Sequence, residues 1–356
     1  MKQYSKKQKL ELQPASVLWN MYKPENAPFR FKAKTESEAR QWQKKTRAAL
    51  SKVLGCDLIC PAALKADLLD TVDKGDYSRI KLLLRTTNHS LMPVYMLVPK
   101  GLKVPAKTIL AFHGHGYGVK DIIGMWEDGT ERSEPDGPHK DFAIELCKRG
   151  MIVVAPEIAC FGERQTDFSY IDKSIGQPEP LWPATCTHSA NLANHLGISI
   201  LGFRIFEMRR LLDYLQSRKE CDPNRIGVMG ISGGGMLAFF LTAIELRIKA
   251  CVISGYFSTF KDSILSLGHC PCNFVAGLGQ FGEMCDLAGL IAPRPMLIEA
   301  GSRDPIFPIQ SVKQSFIRSK KIYSIWKSSN LEKDFFDGRH QISGVKSYSF
   351  ILNRLA

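Results

Sequence analysis

Hydrophobic and polar residues follow different rhythms in successive parts of this chain. Between residues 35 and 55, Ala39, Trp42, Ala49, Leu50, Val53 and Leu54 recur at helical spacing. The segment opens on Thr35-Glu36-Ser37-Glu38, whose hydroxyl and carboxylate can satisfy orphan amides reciprocally, and it closes on Gly55. This predicts an amphipathic helix of about five turns. Its apolar stripe must lie on the body of the protein, so residues 1–60 read as a helical appendage and 61–356 as the main domain. From about residue 65 the period shortens. Leu64–Val72, Tyr77–Thr86 and Pro93–Val98 are partly alternating segments split by turn residues such as Lys74-Gly75-Asp76, which predicts an antiparallel meander.

Beyond residue 105 continuous apolar runs alternate with amphipathic helices. They are Thr108–Phe112, Asp141–Arg149, Ile152–Ala155, Ile198–Ser217, Ile226–Met229, Met236–Ile244, Ala250–Ile253 and Met296–Ala300. Buried strands joined by helices imply a mostly parallel, doubly wound α/β sheet covered on both faces, with the meander at its edge. Residues 160–197 and 256–292 are too irregular for plain crossovers, and long excursions of that kind usually shape a site.

Composition narrows the classes. The chain has 356 residues, enough to bury a core without disulfide or metal staples. Lysine and arginine exceed the acids by 13, a surplus that could suit an anionic partner. The surplus is dispersed, however, with no zinc-finger spacing and no stripe of basic and aromatic residues, so a solvated basic surface is expected rather than nucleic-acid binding. Of the ten cysteines, Cys147, Cys160 and Cys251 sit in apolar runs, where a thiol behaves as a small hydrophobe. Cys56/Cys60 and Cys270/Cys272 are close pairs, but neither has a second pair at zinc spacing. The basic N-terminus lacks the apolar region of a signal peptide, and no run reaches the length of a membrane span. A soluble protein of a reducing cytoplasm, without a membrane partner, is the expectation.

Four short segments carry candidate chemistry. Gly230-Ile231-Ser232-Gly233-Gly234-Gly235 lies between the strand Ile226–Met229 and the helix Met236–Ile244. That is the strand–turn–helix setting of a nucleophile elbow, in which Gly230 and Gly234 spare a sharp turn from collision and Ser232 projects above the sheet. A phosphate-binding βα turn is the alternative. His113-Gly114-His115-Gly116-Tyr117-Gly118 follows the strand Thr108–Phe112 and suits an oxyanion hole, where backbone N–H groups approach developing charge. His-x-His at a strand end also occurs in metal sites, but no His-x-x-Asp-His tract follows. The other histidines (89, 139, 188, 195, 269 and 340) stand in unrelated contexts, so no metal is expected. Asp304 lies just past the strand Met296–Ala300, and His340 lies in a glycine-containing loop before the last helix. The order Ser232, Asp304, His340 is the chain order of α/β-hydrolase triads.

These segments resemble the dienelactone hydrolase and acetyl xylan esterase-like group of α/β-hydrolases, and within it a bacterial esterase family. The resemblance rests on His113–Gly118, Asp213–Leu215, Asp222–Gly227 and Asp286–Pro295, and extends over roughly residues 35–355. One departure is local: Gly233 stands where relatives often carry Met. The resemblance implies hydrolysis of a small-molecule carboxylic ester by Ser232, with His340 as base and acid and Asp304 as its orienting carboxylate. The N–H groups of Gly233 and His115 would form the oxyanion hole. The backbone of His115 is expected to matter more than its imidazole, and His113 to pack or hydrogen-bond beneath the loop. No cofactor is implied. Glu299 and Asp337 are weaker candidates for the acid. A peptidase or amidase like the prolyl oligopeptidases is a rival reading, although the residues before His113 are too few for a propeller. A non-catalytic binding protein is the other rival. The two excursions, with Phe161, Trp182 and Phe281, are expected to crowd the site and favour short acyl groups.

Overall fold

The computed structural model describes residues 4–171 and 182–355, and the side chain of Trp182 lies outside that description. Nine strands form one sheet: β1 (Lys65–Asp73), β2 (Tyr77–Thr87), β3 (Ser90–Pro99), β4 (Ala106–Phe112), β5 (Ile152–Pro156), β6 (Cys221–Ile231), β7 (Ala250–Ser254), β8 (Met296–Gly301) and β9 (Leu331–Phe336), in the spatial order β1-β2-β3-β5-β4-β6-β7-β8-β9. The meander β1–β3 is antiparallel and joins β5 antiparallel, while β5 through β9 run parallel. The expected architecture is present. The strand β9 was not anticipated, because its Leu-Glu-Lys-Asp-Phe-Phe run has neither alternation nor a continuous apolar stretch.

The helices are α1 (Lys6–Glu11), α2 (Pro14–Met21), α3 (Glu36–Leu54), α4 (Phe142–Lys148), α5 (Trp182–His195), α6 (Ile200–Gln216), α7 (Gly233–Ile244), α8 (Met284–Leu287), α9 (Ile309–Tyr323) and α10 (Ser347–Arg354). Two apolar cores lie on the sheet, as a doubly wound fold requires. The first holds Leu50 and Leu54 of α3, the inner faces of α6 and α7, and Phe112; the second holds Phe142 of α4, Ile351 of α10, and Ile109 and Val153 from the sheet.

The α3 helix forms as its sequence dictates. Thr35 Oγ1 accepts the Glu38 N–H, Glu38 Oε2 accepts the Thr35 N–H, and Gly55 ends the helix with φ 74°. It is fastened to the body by more than its apolar stripe. Gln43 Nε2 donates to the Gly289 and Ala292 carbonyls, and Arg47 donates to those of Ala243 and Leu290. By contrast α1 and α2 bury no residue. No helix among the described residues is long and apolar enough to cross a membrane.

Candidate active site

Because β4, β6, β8 and β9 run parallel, their C-terminal ends share one edge of the sheet, where open α/β folds place their sites. Ser232 sits between β6 and α7 with φ 56° and ψ −119°, a conformation L-residues avoid. The strain is held by the surrounding backbone, since the Ser232 N–H donates to the Ser254 carbonyl (3.0 Å) and its carbonyl caps Met236 (2.8 Å). The two glycines flanking the turn are required sterically. A Cβ on Gly230 would collide with the Gly234 carbonyl, and one on Gly234 with the carbonyls of Phe112 and His113. At Gly233 a Cβ would come within 2.9 Å of the His115 ring, which explains the departure at that position: the imidazole occupies the space a larger side chain needs.

Asp304, just beyond β8, is almost wholly buried. Its Oδ1 accepts the N–H groups of Ile306 (2.9 Å) and Phe307 (3.0 Å), and Oδ2 lies 2.6 Å from His340 Nδ1. Phe307 stacks on the His340 ring with centroids 5.7 Å apart. The other ring nitrogen, His340 Nε2, is buried and has no hydrogen-bond partner among the described residues. It opens on a cavity of about 230 Å³ lined by Ser232, Gly233, His115, His139, Tyr256, Phe307 and their neighbours.

The rival carboxylates serve elsewhere. Glu299 accepts from Ser254 Oγ and the Ser343 N–H through Oε1, and from the Gly344 N–H and Ser347 Oγ through Oε2, so it ties down the chain after His340. Burial raises its carboxyl above the ordinary range. Asp337 is exposed and pairs with Arg303 (2.9 Å).

The loop after β4 is pinned from below. Fully buried His113 accepts the Ile158 N–H at Nε2 (3.1 Å) and turns Nδ1 to the Gly114 carbonyl (2.8 Å). His139, read from sequence as unrelated, accepts the Gly114 N–H at Nε2 (2.8 Å) and places Nδ1 2.7 Å from Asp121. His269, read likewise, also lines the cavity. Burial lowers both imidazoles' affinity for protons. Nothing in the spacing of Asp121 and His139 signals their meeting. The segment between β4 and α4, which carries both, folds back to bring them together.

The two phenylalanines expected to crowd the site are placed differently. Phe281 is buried in the core, stacked on Phe29 at 5.1 Å, and Phe161 packs edge-on against the rings of His113 and His115 behind the loop. Neither lines the cavity, whose aromatic walls are Tyr256 and Phe307. Both phenylalanines lack a polar handle and so were drawn into the interior. His115 also turns Nε2 toward Cys272 Sγ (3.4 Å), part of a grouping that the sequence reading did not anticipate.

A strained serine at a strand–helix elbow, a histidine bonded to a buried aspartate and a glycine-rich loop on the C-terminal edge of a helix-flanked parallel sheet define an α/β-hydrolase. Comparison with known proteins agrees. Residues 11–319 match the model of the abhydrolase family Abhydrolase_7, and the chain belongs to that family. It is 26% identical over 275 residues to YtaP of Bacillus subtilis (strain 168), provisionally named a hydrolase, covering 75% of this chain and 83% of that protein. Among solved structures, a Bacteroides fragilis NCTC 9343 protein provisionally named an acetyl xylan esterase superposes with a TM-score of 0.74 at 18% identity, over 91% of this chain and 82% of the other. A glucuronoyl esterase from Solibacter usitatus gives 0.62 at 13% identity, over 89% and 94% of the two chains. Acetyl xylan esterase 1 from Thermoanaerobacterium sp. JW/SL YS485 gives 0.56 at 16%, over 94% and 98%.

Proposed function

We propose that the protein hydrolyses short-acyl carboxylic esters by a Ser232–His340–Asp304 triad and an acyl-enzyme. The reading is carried by one observation: His340 is oriented by Asp304 at 2.6 Å and presents an unpartnered Nε2 to the cavity in which Ser232 stands. His340 takes the Oγ proton as Ser232 attacks the acyl carbon, then delivers it to the leaving alcohol. The same nitrogen activates the water that releases the acid. Asp304 holds the imidazole in the tautomer with its proton on Nδ1 and stabilises the imidazolium.

The N–H of Gly233 is at the first position of α7, where helix geometry leaves it without an intrahelical partner and at the positive end of the dipole. It and the N–H of His115 form the proposed oxyanion hole. Losing one such donor typically costs about 2.7–4 kcal/mol of transition-state stabilisation. The cavity of about 230 Å³ falls below the roughly 300–1,000 Å³ of sites for drug-sized ligands. That size supports an acetyl-like acyl group, in keeping with the acetyl xylan esterase names among the structural neighbours.

A fluorophosphonate probe and a series of p-nitrophenyl esters, run beside an acetylated sugar, test the reading. Ser232 is the expected site of labelling, and acetate and butyrate the fastest substrates. Absence of labelling would leave a binding protein on this fold. Faster turnover of octanoate or laurate would overturn the short-acyl assignment.

A further inference from the structure

Beside the proposed oxyanion hole, donors from three remote parts of the chain converge. Cys186 belongs to α5, Cys270 and Cys272 flank Pro271 in the 256–292 excursion, and His115 follows β4. Cys186 Sγ and Cys270 Sγ are 3.1 Å apart, Cys272 Sγ and His115 Nε2 are 3.4 Å apart, and the four ligand atoms all lie within 4.8 Å of one another. An ion about 2.3 Å from each sulfur in a tetrahedron sets its ligand sulfurs roughly 3.8 Å apart, so these spacings bracket the required ones. Three thiols and an imidazole are the donors of zinc and similar borderline-soft ions. Calcium and magnesium ask for oxygen.

A second observation is electrostatic. Arg204 on α6 is buried, its Nη2 donates to the Ala159 carbonyl (3.0 Å) and reaches Cys186 Sγ (3.4 Å), and its Nε has no hydrogen-bond partner. Among the described residues it pairs with no carboxylate, and a guanidinium does not lose its proton in a protein. The thiols of Cys160, Cys186 and Cys272 lie around it and can carry negative charge. One divalent ion with three thiolates leaves a single net negative charge, and the guanidinium cancels it. A Cys186–Cys270 disulfide would be neutral and would remove one of the available anions.

We propose that His115, Cys186, Cys270 and Cys272 form a Cys3His site for one zinc-class ion that ties the His113–Gly118 loop to α5 and to the 256–292 excursion. Binding forms three metal–sulfur bonds and one metal–nitrogen bond. Each thiol releases its proton to solvent, and no oxidation state changes. Four protein ligands leave no open coordination position, so the ion holds structure and takes no part in ester chemistry. It gives the His115 imidazole a purpose distinct from the backbone N–H of the same residue: it fixes where that N–H points.

The test uses the full chain, produced in zinc-supplemented medium and purified without chelator. Elemental analysis should find about one zinc per chain. Exchange with cobalt(II) should give the intense visible bands of a tetrahedral thiolate complex. Cys272→Ser and Cys186→Ser should each lose at least tenfold in bound metal and lose those bands, whereas Cys60→Ser, at an exposed thiol, should keep both. Circular dichroism of each variant checks folding, and the cobalt spectrum of the unaltered chain stands without any variant. The proposal fails if the protein holds no metal and takes up no cobalt, whether denaturation then exposes all ten thiols or two fewer because of a disulfide. It also fails if the folded cysteine variants keep their zinc. None of these readouts depends on turnover, so the ester-hydrolase reading and this one can fail separately.

Discussion

At the scale of single residues the proposed triad acid is the sharpest test. Asp304 receives two backbone N–H bonds that hold Oδ1, leaving Oδ2 for His340, whereas Asp337 is turned to Arg303 at the surface. Asp304→Asn should lower kcat by about 10⁴, because the amide favours the wrong imidazole tautomer. Asp337→Asn should remain within about tenfold of the parent. Steady-state kinetics on p-nitrophenyl acetate decide the ranking, and the reverse order would move the acid to Asp337.

His139 is a positioning residue of the same neighbourhood. Burial lowers its folded-state affinity for protons, so the unfolded chain binds a proton first as pH falls. Its contribution to stability is therefore fully present above the unfolded value near 6.5 and is lost as pH drops below it. Urea midpoints measured from about pH 7 to about pH 5.5 should fall, and His139→Gln should flatten that slope. His139→Ala should lower kcat more than it raises KM, since Gly114 then loses the acceptor that orients the proposed oxyanion loop.

At the scale of elements the nucleophile elbow and α3 were legible for opposite reasons. The elbow announces itself by glycines that sterics demand. Gly234→Ala should abolish activity and lower the melting temperature, because the new methyl meets two carbonyls of the neighbouring strand end that cannot move apart without breaking the β4–β6 pairing. The α3 helix announces itself by a capping box, and Thr35→Ala should cost about 1 kcal/mol in urea unfolding. The α9 helix was missed because serines take buried positions along it. Ser315 Oγ donates to the Ser258 carbonyl and Ser319 Oγ to that of Ser315, so polar residues that hide an apolar stripe in the sequence are satisfied internally.

At the scale of the whole molecule the N-terminal region divides by what it buries. The helices α1 and α2 bury nothing, so removal of residues 1–21 should shift the unfolding free energy by no more than about 0.5 kcal/mol. Removal through residue 55 takes away Leu50 and Leu54, which lie wholly within the larger core, together with the Gln43 and Arg47 bonds to backbone carbonyls. That truncation should be insoluble, because it exposes the apolar face on which α3 rests. The pair of truncations tests whether residues 1–60 act as an appendage fastened to one domain. Retained solubility of the shorter chain would show that α3 is dispensable.

Local chemistry explains what could be read directly. Apolar runs, a capping box and a glycine-framed serine each constrain a few consecutive residues, so the class of fold, the elbow and the order of Ser232, Asp304 and His340 stand in the sequence itself. Contacts across long separations do not. The meeting of His139 with Gly114, the retreat of Phe281 into the core and the convergence of His115 with Cys186, Cys270 and Cys272 depend on which strand ends and loops the sheet order places side by side. The Cys270/Cys272 pair is incomplete in the sequence because no second pair stands at zinc spacing from it. Its partners come from α5 and from the loop after β4, distant in sequence and adjacent only once the parallel strands have packed.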